Sequence, residues 1–210
     1  LNNASLKGLY LVDAEMQNCE LKKVSFQDAS MYGINLNGSN LFKANFEKLT
    51  KLRPAFLKEG SLTAANSSTI NDGAAAIILG DDLYQDQADF KIVAYASFAQ
   101  NPTWFTTAPI ESSKKVLKKS GLTIDQIDIF EINEAFSVVA MACMRELQLD
   151  HKKVNVYGSG ISLGHPIGAS GARILLSLMT ALKNKDKKLG MASICIGGGE
   201  ALSVIIERLK

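Results

Sequence analysis

The residues that most often announce a function are scarce in this sequence. Its 210 residues hold two histidines, three cysteines, four prolines and one tryptophan. The cysteines, Cys19, Cys143 and Cys195, are odd in number and form no C-x-x-C pair. That pattern fits reduced thiols inside a cell, not a disulfide scaffold. No apolar run reaches the length of a membrane span. Charge of one sign is also missing: 23 basic residues face 21 acidic ones, a net charge of +2. The basic residues are scattered, so there is no electrostatic case for nucleic acid. The one dense basic run, "LKNKDKK" (182–188), reads as a solvated helix end. The opening "LNNASLKGLY" lacks the charged start and apolar core of a secretory signal. It begins with Leu, which leaves an upstream targeting segment open. The expected setting is intracellular, cytoplasmic or mitochondrial, with no nucleic acid and no membrane as partner.

What is present falls into two patterns. Residues 1–48 keep a period of five. From Ala4 the frame reads ASLKG, LYLVD, AEMQN, CELKK, VSFQD, ASMYG, INLNG, SNLFK, ANFEK. The third place is always Leu, Met or Phe, from Leu6 to Phe46. The first place is small or apolar, from Ala4 to Ala44. Neither a 3.6-residue helix nor a two-residue strand keeps five in register. A coil that turns one corner per pentad does, and such coils stack so that each buries its neighbour's face. The segment resembles the pentapeptide-repeat family. The resemblance implies an all-β, right-handed quadrilateral β-helix of about two coils, fewer than a free-standing solenoid needs. Cys19 falls on an inward place and is expected to be buried.

From "LTKLRPAF" (49–56) onward the pattern is that of an α/β domain. "TAANSSTINDGAAAIIL" (63–79) reads as a loop followed by an Ala-rich helix or buried strand. "FKIVAYASFA" (90–99) alternates like a strand, and "PIESSKKVLKKSGL" (109–122) starts on proline as an amphipathic helix. "IDIFEIN" (127–133) predicts a strand and "EAFSVVAMACMREL" (134–147) a mostly buried helix. "SGARILLSLMTALKN" (170–184) is a further helix, and "LGMASICIGG" and "EALSVIIERL" are strands joined by a glycine turn. The expected order is a βαβαββ layered sheet. The expected boundaries are 1–48 for the repeats, 49–85 for a linker and leading segment, and 86–210 for the α/β domain.

Three short motifs stand where strands meet helices or turns: "EINEAF", "GHPIGASG" and "CIGGGEA". Active groups gather at such edges of α/β sheets. Each motif alone has a plain reading: Asn133 as a helix cap, Cys195 as a buried thiol, His165 as a hydrogen-bonded core residue. Together they supply a thiol, an imidazole and an amide, with glycines that leave the backbone N–H groups of 195–199 open to an oxyanion. Those are the parts of acyl chemistry at a carbonyl.

From about Leu52 to Lys210 these motifs, in this order and spacing, resemble the C-terminal half of a thiolase, of the acetyl-CoA C-acetyltransferase (acetoacetyl-CoA thiolase) type. The resemblance implies a layered αβαβα fold of two similar halves and a homo-oligomer. It also implies an acyltransferase that joins two acetyl-CoA or cleaves 3-ketoacyl-CoA with free CoA, with no covalent cofactor. By the same resemblance, His165 activates a nucleophilic thiol and helps hold the thioester enolate. Asn133 holds a water that completes that oxyanion hole. Cys195 is the acid/base at the acetyl methyl group, and the Gly197 amide serves a second oxyanion hole. Ser68, Ala135 and Phe136 line the tunnel for the pantetheine arm of CoA. Some of these enzymes bind K+ (potassium) through carbonyls that match Ala64, Ala65, Ser67 and Ile161.

The family nucleophile is another cysteine, in an N-terminal half that the repeats stand in place of here. Neither Cys19 nor Cys143 has glycines or a base nearby to replace it. The retained α/β part is therefore expected to expose a large apolar face. Three readings stay open. The chain is an enzyme part that works with a missing thiolase half, a non-catalytic CoA-binding or interaction protein with the repeats as its module, or an artificial join.

Overall fold

The structure is a computed structural model that describes residues 2–6, 16, 19–25 and 52–210. Most of the pentapeptide segment lies outside the described residues. The parts within it follow the period. Ser5 and Ser25, four pentads apart, form a parallel bridge. The amide of Leu6 donates to Ser25 O at 2.8 Å, and that of Ser25 donates to Ala4 O at 3.1 Å. Asn3 and Lys23, twenty residues apart, share a left-handed backbone with φ of 61° and 56°. Leu21 and Val24, at a third and a first place, are both fully buried. Cys19 departs from expectation, being only partly buried. An inward side chain is covered only where a neighbouring coil lies over it.

The α/β part is a four-stranded sheet of order β1-β4-β3-β2. Its elements are β1 (Phe90–Ala99), α1 (Ala108–Ser120), β2 (Ile129–Ile132), α2 (Ser137–Glu146), α3 (Gly160–Leu163), α4 (Ser170–Asn184), β3 (Leu189–Cys195) and β4 (Glu200–Arg208). The expected βαβαββ order is kept, except that three helices, α2, the short α3 and α4, stand between β2 and β3. β1 and β3 run antiparallel to β4, and β2 runs parallel to β3. β2 is buried at every residue, as a strand covered on both faces must be.

Side-chain alternation divides the core in two. Phe130, Ile132, Met191, Cys195 and Ile205 pack on the side of α1 and α2, with Val116, Val139 and Cys143. Ile129, Ala192 and Ile206 pack on the side of α4, with Ile174, Leu178 and Leu182. Helix α1 is set by local chemistry. Pro109 opens it, Glu111 lies in its first turn, Lys118 and Lys119 in its last, and Gly121 ends it at φ 71°. Between α1 and the sheet, four buried serines share hydroxyl hydrogen bonds. Ser203 Oγ lies 2.6 Å from Ser112 Oγ, 3.3 Å from Ser113 Oγ and 2.8 Å from Ser193 Oγ.

Both margins of the sheet are occupied. At β2, Asn155 imitates a strand residue: its side chain accepts from Ile132 N at 2.7 Å and donates to Ile132 O at 2.9 Å. At β1, Lys119 Nζ donates to Tyr95 O at 3.1 Å and Lys115 Nζ to Ser97 O at 3.4 Å. A register shift between Ile92 and Ala94 further breaks the β1 edge.

Two expectations need correction. Helix α2 begins at Ser137, not 134, and buries only Val139, Ala140 and Cys143, while Met141 is exposed. The run "GAAAIILG" (73–80) forms neither a helix nor a strand. Ile70 is 85% exposed, Ile78 100% and Leu79 73%. An apolar run becomes a buried strand only when another strand or layer takes its hydrogen bonds and its apolar face, and none among the described residues does. Leu83, Ile92 and Tyr95 are exposed as well, at 87%, 47% and 60%.

Candidate active site

Parallel pairing delivers two motif residues to one end of the sheet. Asn133 follows directly on β2, and its amide donates to Ser193 O at 2.9 Å. Cys195 ends β3, two residues beyond Ser193. The carboxyl ends of neighbouring parallel strands are where α/β sheets place their sites.

The third motif residue comes from the loop between α3 and α4. The close approach of α3 and of this loop to their neighbours tolerates no side chain at two glycines. A Cβ on Gly160 would meet Glu134 O at 2.6 Å. A Cβ on Gly164, whose φ is 90°, would meet Asn71 Oδ1 at 2.5 Å. The His165 amide donates to that same Asn71 Oδ1 at 2.7 Å and to Thr69 O at 3.2 Å. The Pro166 carbonyl receives the amides of Ala169 and Ser170, both at 2.8 Å, and so opens α4.

The side chains then form one directed chain of hydrogen bonds. Arg173 Nη2 lies 3.1 Å from Asn133 Oδ1. Arginine only donates, so the amide oxygen of Asn133 faces it. Asn133 Nδ2 is thereby turned to His165 Nε2, at 3.4 Å. An amide nitrogen also only donates, so Nε2 carries the lone pair and Nδ1 the proton. His165 Nδ1 lies 2.6 Å from Ser170 Oγ, which donates onward to Pro166 O at 2.9 Å. Burial, and then the Arg173 charge, hold the His165 imidazole below its usual range. The arrangement is a neutral imidazole with its base nitrogen beside an amide donor.

Behind it lies a cluster of ionisable groups. Glu131, 1% exposed, accepts from Ser159 Oγ at 2.9 Å, and burial pushes its carboxyl up to about 8. Glu134 accepts from Asn155 Nδ2 at 2.8 Å and from the Ile161 amide at 3.3 Å. Arg173 is held below the usual arginine range by burial, against the opposing charges of Glu131 and Glu134.

Cys195, at the end of β3, takes no part in this hydrogen-bond chain. It packs in the apolar cluster on the α1 and α2 side, against which Ala135 and Phe136 also pack. Burial pushes its thiol up to about 11, and that of Cys143 to about 12, with Cys195 adding to the second shift. Desolvation outweighs the backbone hydrogen bond that favours the Cys195 thiolate. The glycine turn is also less open than expected. Ile196 N donates to Glu200 O at 2.8 Å, and Gly199 N to Ile196 O at 3.0 Å. The turn's tip, Gly197 and Gly198, remains exposed.

The residues expected to receive CoA do meet. Ser68 N donates to Ala135 O at 3.0 Å, and Ser67 bridges to Phe136. The Phe136 ring stands edge-on to Phe56, with centroids 5.5 Å apart. Of the carbonyls matched to a potassium site, those of Ala64, Ala65 and Ser67 lie in and just after one 3-10 turn, while Ile161 lies in α3. The Ile161 carbonyl is not used by the amide four residues on, since His165 N turns to Thr69 and Asn71. A shallow cleft between Asn71, Gly73, Pro166 and Ile167 flanks the His165 loop, but neither Asn133 nor Cys195 lines it.

Asn133 is not a helix cap: Phe136 holds that position for α2. Sequence reasoning missed Ser170 and Arg173, although both stand in the motif that carries His165. Their spacing of three places them on one face of a helix, and that was the available signal. Glu131 opens the motif "EINEAF" but was given no role, and nothing in the sequence pointed to Asn155 or singled out Asn71.

Comparisons with known proteins match this picture. The model of the thiolase C-terminal domain matches residues 87–208, that of the thiolase N-terminal domain residues 36–82, and pentapeptide repeats match 1–41 and 19–49. A probable acetyl-CoA acetyltransferase of Dictyostelium discoideum is 44% identical over 171 residues, 80% of this chain and 41% of that protein. The Bacillus anthracis acetyl-CoA acetyltransferase structure aligns with a TM-score of 0.73 at 40% identity, over 78% of this chain and 42% of that one. A thiolase from Ascaris suum, solved in complex with coenzyme A, aligns at 0.69 and 46% identity, over 78% and 44%. The chain thus spans less than half the length of the relatives it matches. The C-terminal domain match alone covers more than half of the chain, and on that ground the chain belongs to the thiolase family.

Proposed function

We propose that this chain supplies the His165, Asn133 and Cys195 half of an acyl-CoA acyltransferase. The reaction is the condensation of two acetyl-CoA to acetoacetyl-CoA and CoA, or its thiolytic reverse. The carrying observation is the directed hydrogen-bond chain that leaves His165 Nε2 as a neutral base beside the Asn133 donor. A base so placed takes the proton of an attacking thiol. Once protonated at Nε2, the imidazole becomes a donor, and it holds an enolate oxygen together with a water on Asn133. Cys195, protonated at neutral pH because it is buried, is suited to return a proton to the acetyl carbon in the thiolytic direction. The exposed Gly197 turn is the candidate for the second oxyanion hole, and Ser68, Ala135 and Phe136 for the pantetheine tunnel. A potassium ion at the carbonyls of Ala64, Ala65, Ser67 and Ile161 would steady the loop that carries Ser68 against α3. We place the domain limits at 1–48, 49–85 and 86–210, with the repeats as a short β-helix.

The acyl-carrying cysteine of the resembled enzymes lies in their N-terminal half, and the stretch of this chain that matches that half, residues 36–82, holds no cysteine. The chain alone is therefore expected not to turn over acetoacetyl-CoA, and to do so when mixed with a separately produced thiolase N-terminal half. Loss of the acetoacetyl-CoA enolate absorbance measures it, with Cys195→Ala and His165→Ala as controls. Turnover by the chain alone would overturn the dependence on a second half. Calorimetry settles the alternative: no restored turnover together with tight CoA binding would establish a non-catalytic CoA-binding protein.

A further inference from the structure

We propose that Arg173 is a positioning residue of this site, fixing which way round the Asn133 amide stands and through it which nitrogen of His165 carries the proton. The inference rests on the reading of His165 Nε2 as the reacting nitrogen.

An asparagine amide can be turned end for end with almost no change of shape. Only its neighbours decide the direction. On one side of Asn133 is His165, whose Nε2 either donates or accepts according to tautomer. That neighbour cannot fix the amide; it follows it. On the other side is Arg173 Nη2, 3.1 Å from Asn133 Oδ1. A guanidinium has no acceptor, so a reversed amide would set two donors against each other inside a residue that is 0% exposed. Arg173 thus defines the polarity of the whole chain from Asn133 to His165 to Ser170. At the far end, the Ser170 hydroxyl can accept from Nδ1 or, turned round, donate to it, so it adjusts to either tautomer.

The rest of the guanidinium shows that this position is not held for general pairing. Arg173 Nε and Nη1 are buried without a hydrogen-bond partner in the protein. Its hydrogen bond runs to the neutral Asn133, while the Glu131 carboxyl bonds Ser159 and that of Glu134 bonds Asn155 and the Ile161 amide. An arginine whose one hydrogen bond in the protein goes to a neutral amide, and not to either carboxylate, is placed for that amide.

The test reads the imidazole directly. Long-range 1H–15N spectra of the full chain separate the two neutral tautomers, and a His151→Gln background leaves His165 as the single histidine. The expected result is a nearly pure Nδ1–H form in the parent. Arg173→Met should give a mixed or reversed tautomer, and Arg173→Lys, which keeps a donor-only end, should restore much of the parent form. Since Arg173→Met leaves Glu131 facing an apolar side chain, Glu131→Gln/Arg173→Met is measured beside it to keep a folded sample. Glu131→Gln alone should leave the tautomer unchanged. An Nδ1–H form that persists in folded Glu131→Gln/Arg173→Met would overturn the proposal. So would a tautomer that shifts in Glu131→Gln as much as in the double variant. No turnover is needed, so a failed reading of the catalytic function and a failed positioning role are told apart.

Discussion

Ser170 Oγ stands 2.6 Å from His165 Nδ1, and Ser170 is the first residue of α4, fully buried. The hydroxyl therefore accepts a hydrogen bond from the imidazole nitrogen that does not react, and donates its own to the Pro166 carbonyl. Ser170→Ala removes the acceptor and leaves Nδ1–H without a partner. We expect about 1–3 kcal/mol of lost stability, the cost of stranding a buried donor. In enzyme reconstituted with a second half, we expect a fall in kcat of about 10–100-fold with KM little changed. Chemical denaturation and steady-state thiolysis measure the two effects. Equal loss in kcat and in CoA affinity would show that the serine shapes the loop instead.

The pH dependence follows from two groups of opposite sign. Glu131 is raised from 4.5 to about 8 in the fold. Its contribution is full below the unfolded value and is lost as pH rises through the folded one. His165 is lowered from 6.5, so its contribution is full above that value and is lost as pH falls below it. Between pH 7 and 8.5 only Glu131 is active among these two. Urea unfolding should show the parent losing about 1 kcal/mol across that window, and Glu131→Gln losing much less. A parent curve as flat as the variant's would show Glu131 to be ionised in the fold.

Thiol reactivity should run opposite to motif prominence. Cys195 and Cys143 are both buried and both raised, to about 11 and about 12, while Cys19 is only partly buried. The thiolate is the attacking form, so brief alkylation near pH 7.5 should label Cys19 first, then Cys195, then Cys143. Peptide mass mapping gives the order. Early labelling of Cys195 would mean that its pocket admits water.

The buried serine cluster offers a check on packing. Ser203 touches the hydroxyls of Ser112, Ser113 and Ser193. Ser203→Ala should cost about 1–3 kcal/mol, because three hydroxyls lose a shared partner. In the Ser112→Ala/Ser203→Ala pair the loss should be less than the sum, since they are bonded to each other. Thermal melts of the four chains decide it; strict additivity would mean the serines act separately.

The order of elements was legible because strand alternation and helix periodicity are local. β1 matches "FKIVAYASFA" (90–99) end to end, and α4 matches "SGARILLSLMTALKN" (170–184). The meeting of Asn133 with His165 was legible only through the resemblance, since 32 residues separate them. What stayed hidden has two causes. Asn155 reads as a loop residue, and its role at the β2 margin exists only once β2 is placed. Residues 73–80 have the composition of a buried strand, but composition does not supply the neighbour a strand must bond to. Cys195 shows a third limit: flanking glycines are visible in sequence, whereas the depth at which the thiol sits is not.

A sheet whose margins are already taken, by the Asn155 side chain at one end and by Lys115 and Lys119 at the other, cannot lengthen by borrowing a strand. Self-association of the α/β part is left with side-chain surfaces, chiefly the apolar 70–84 stretch. Clustering through such surfaces is expected to dissolve on dilution or in mild detergent, without the ordered fibres that open strand edges seed.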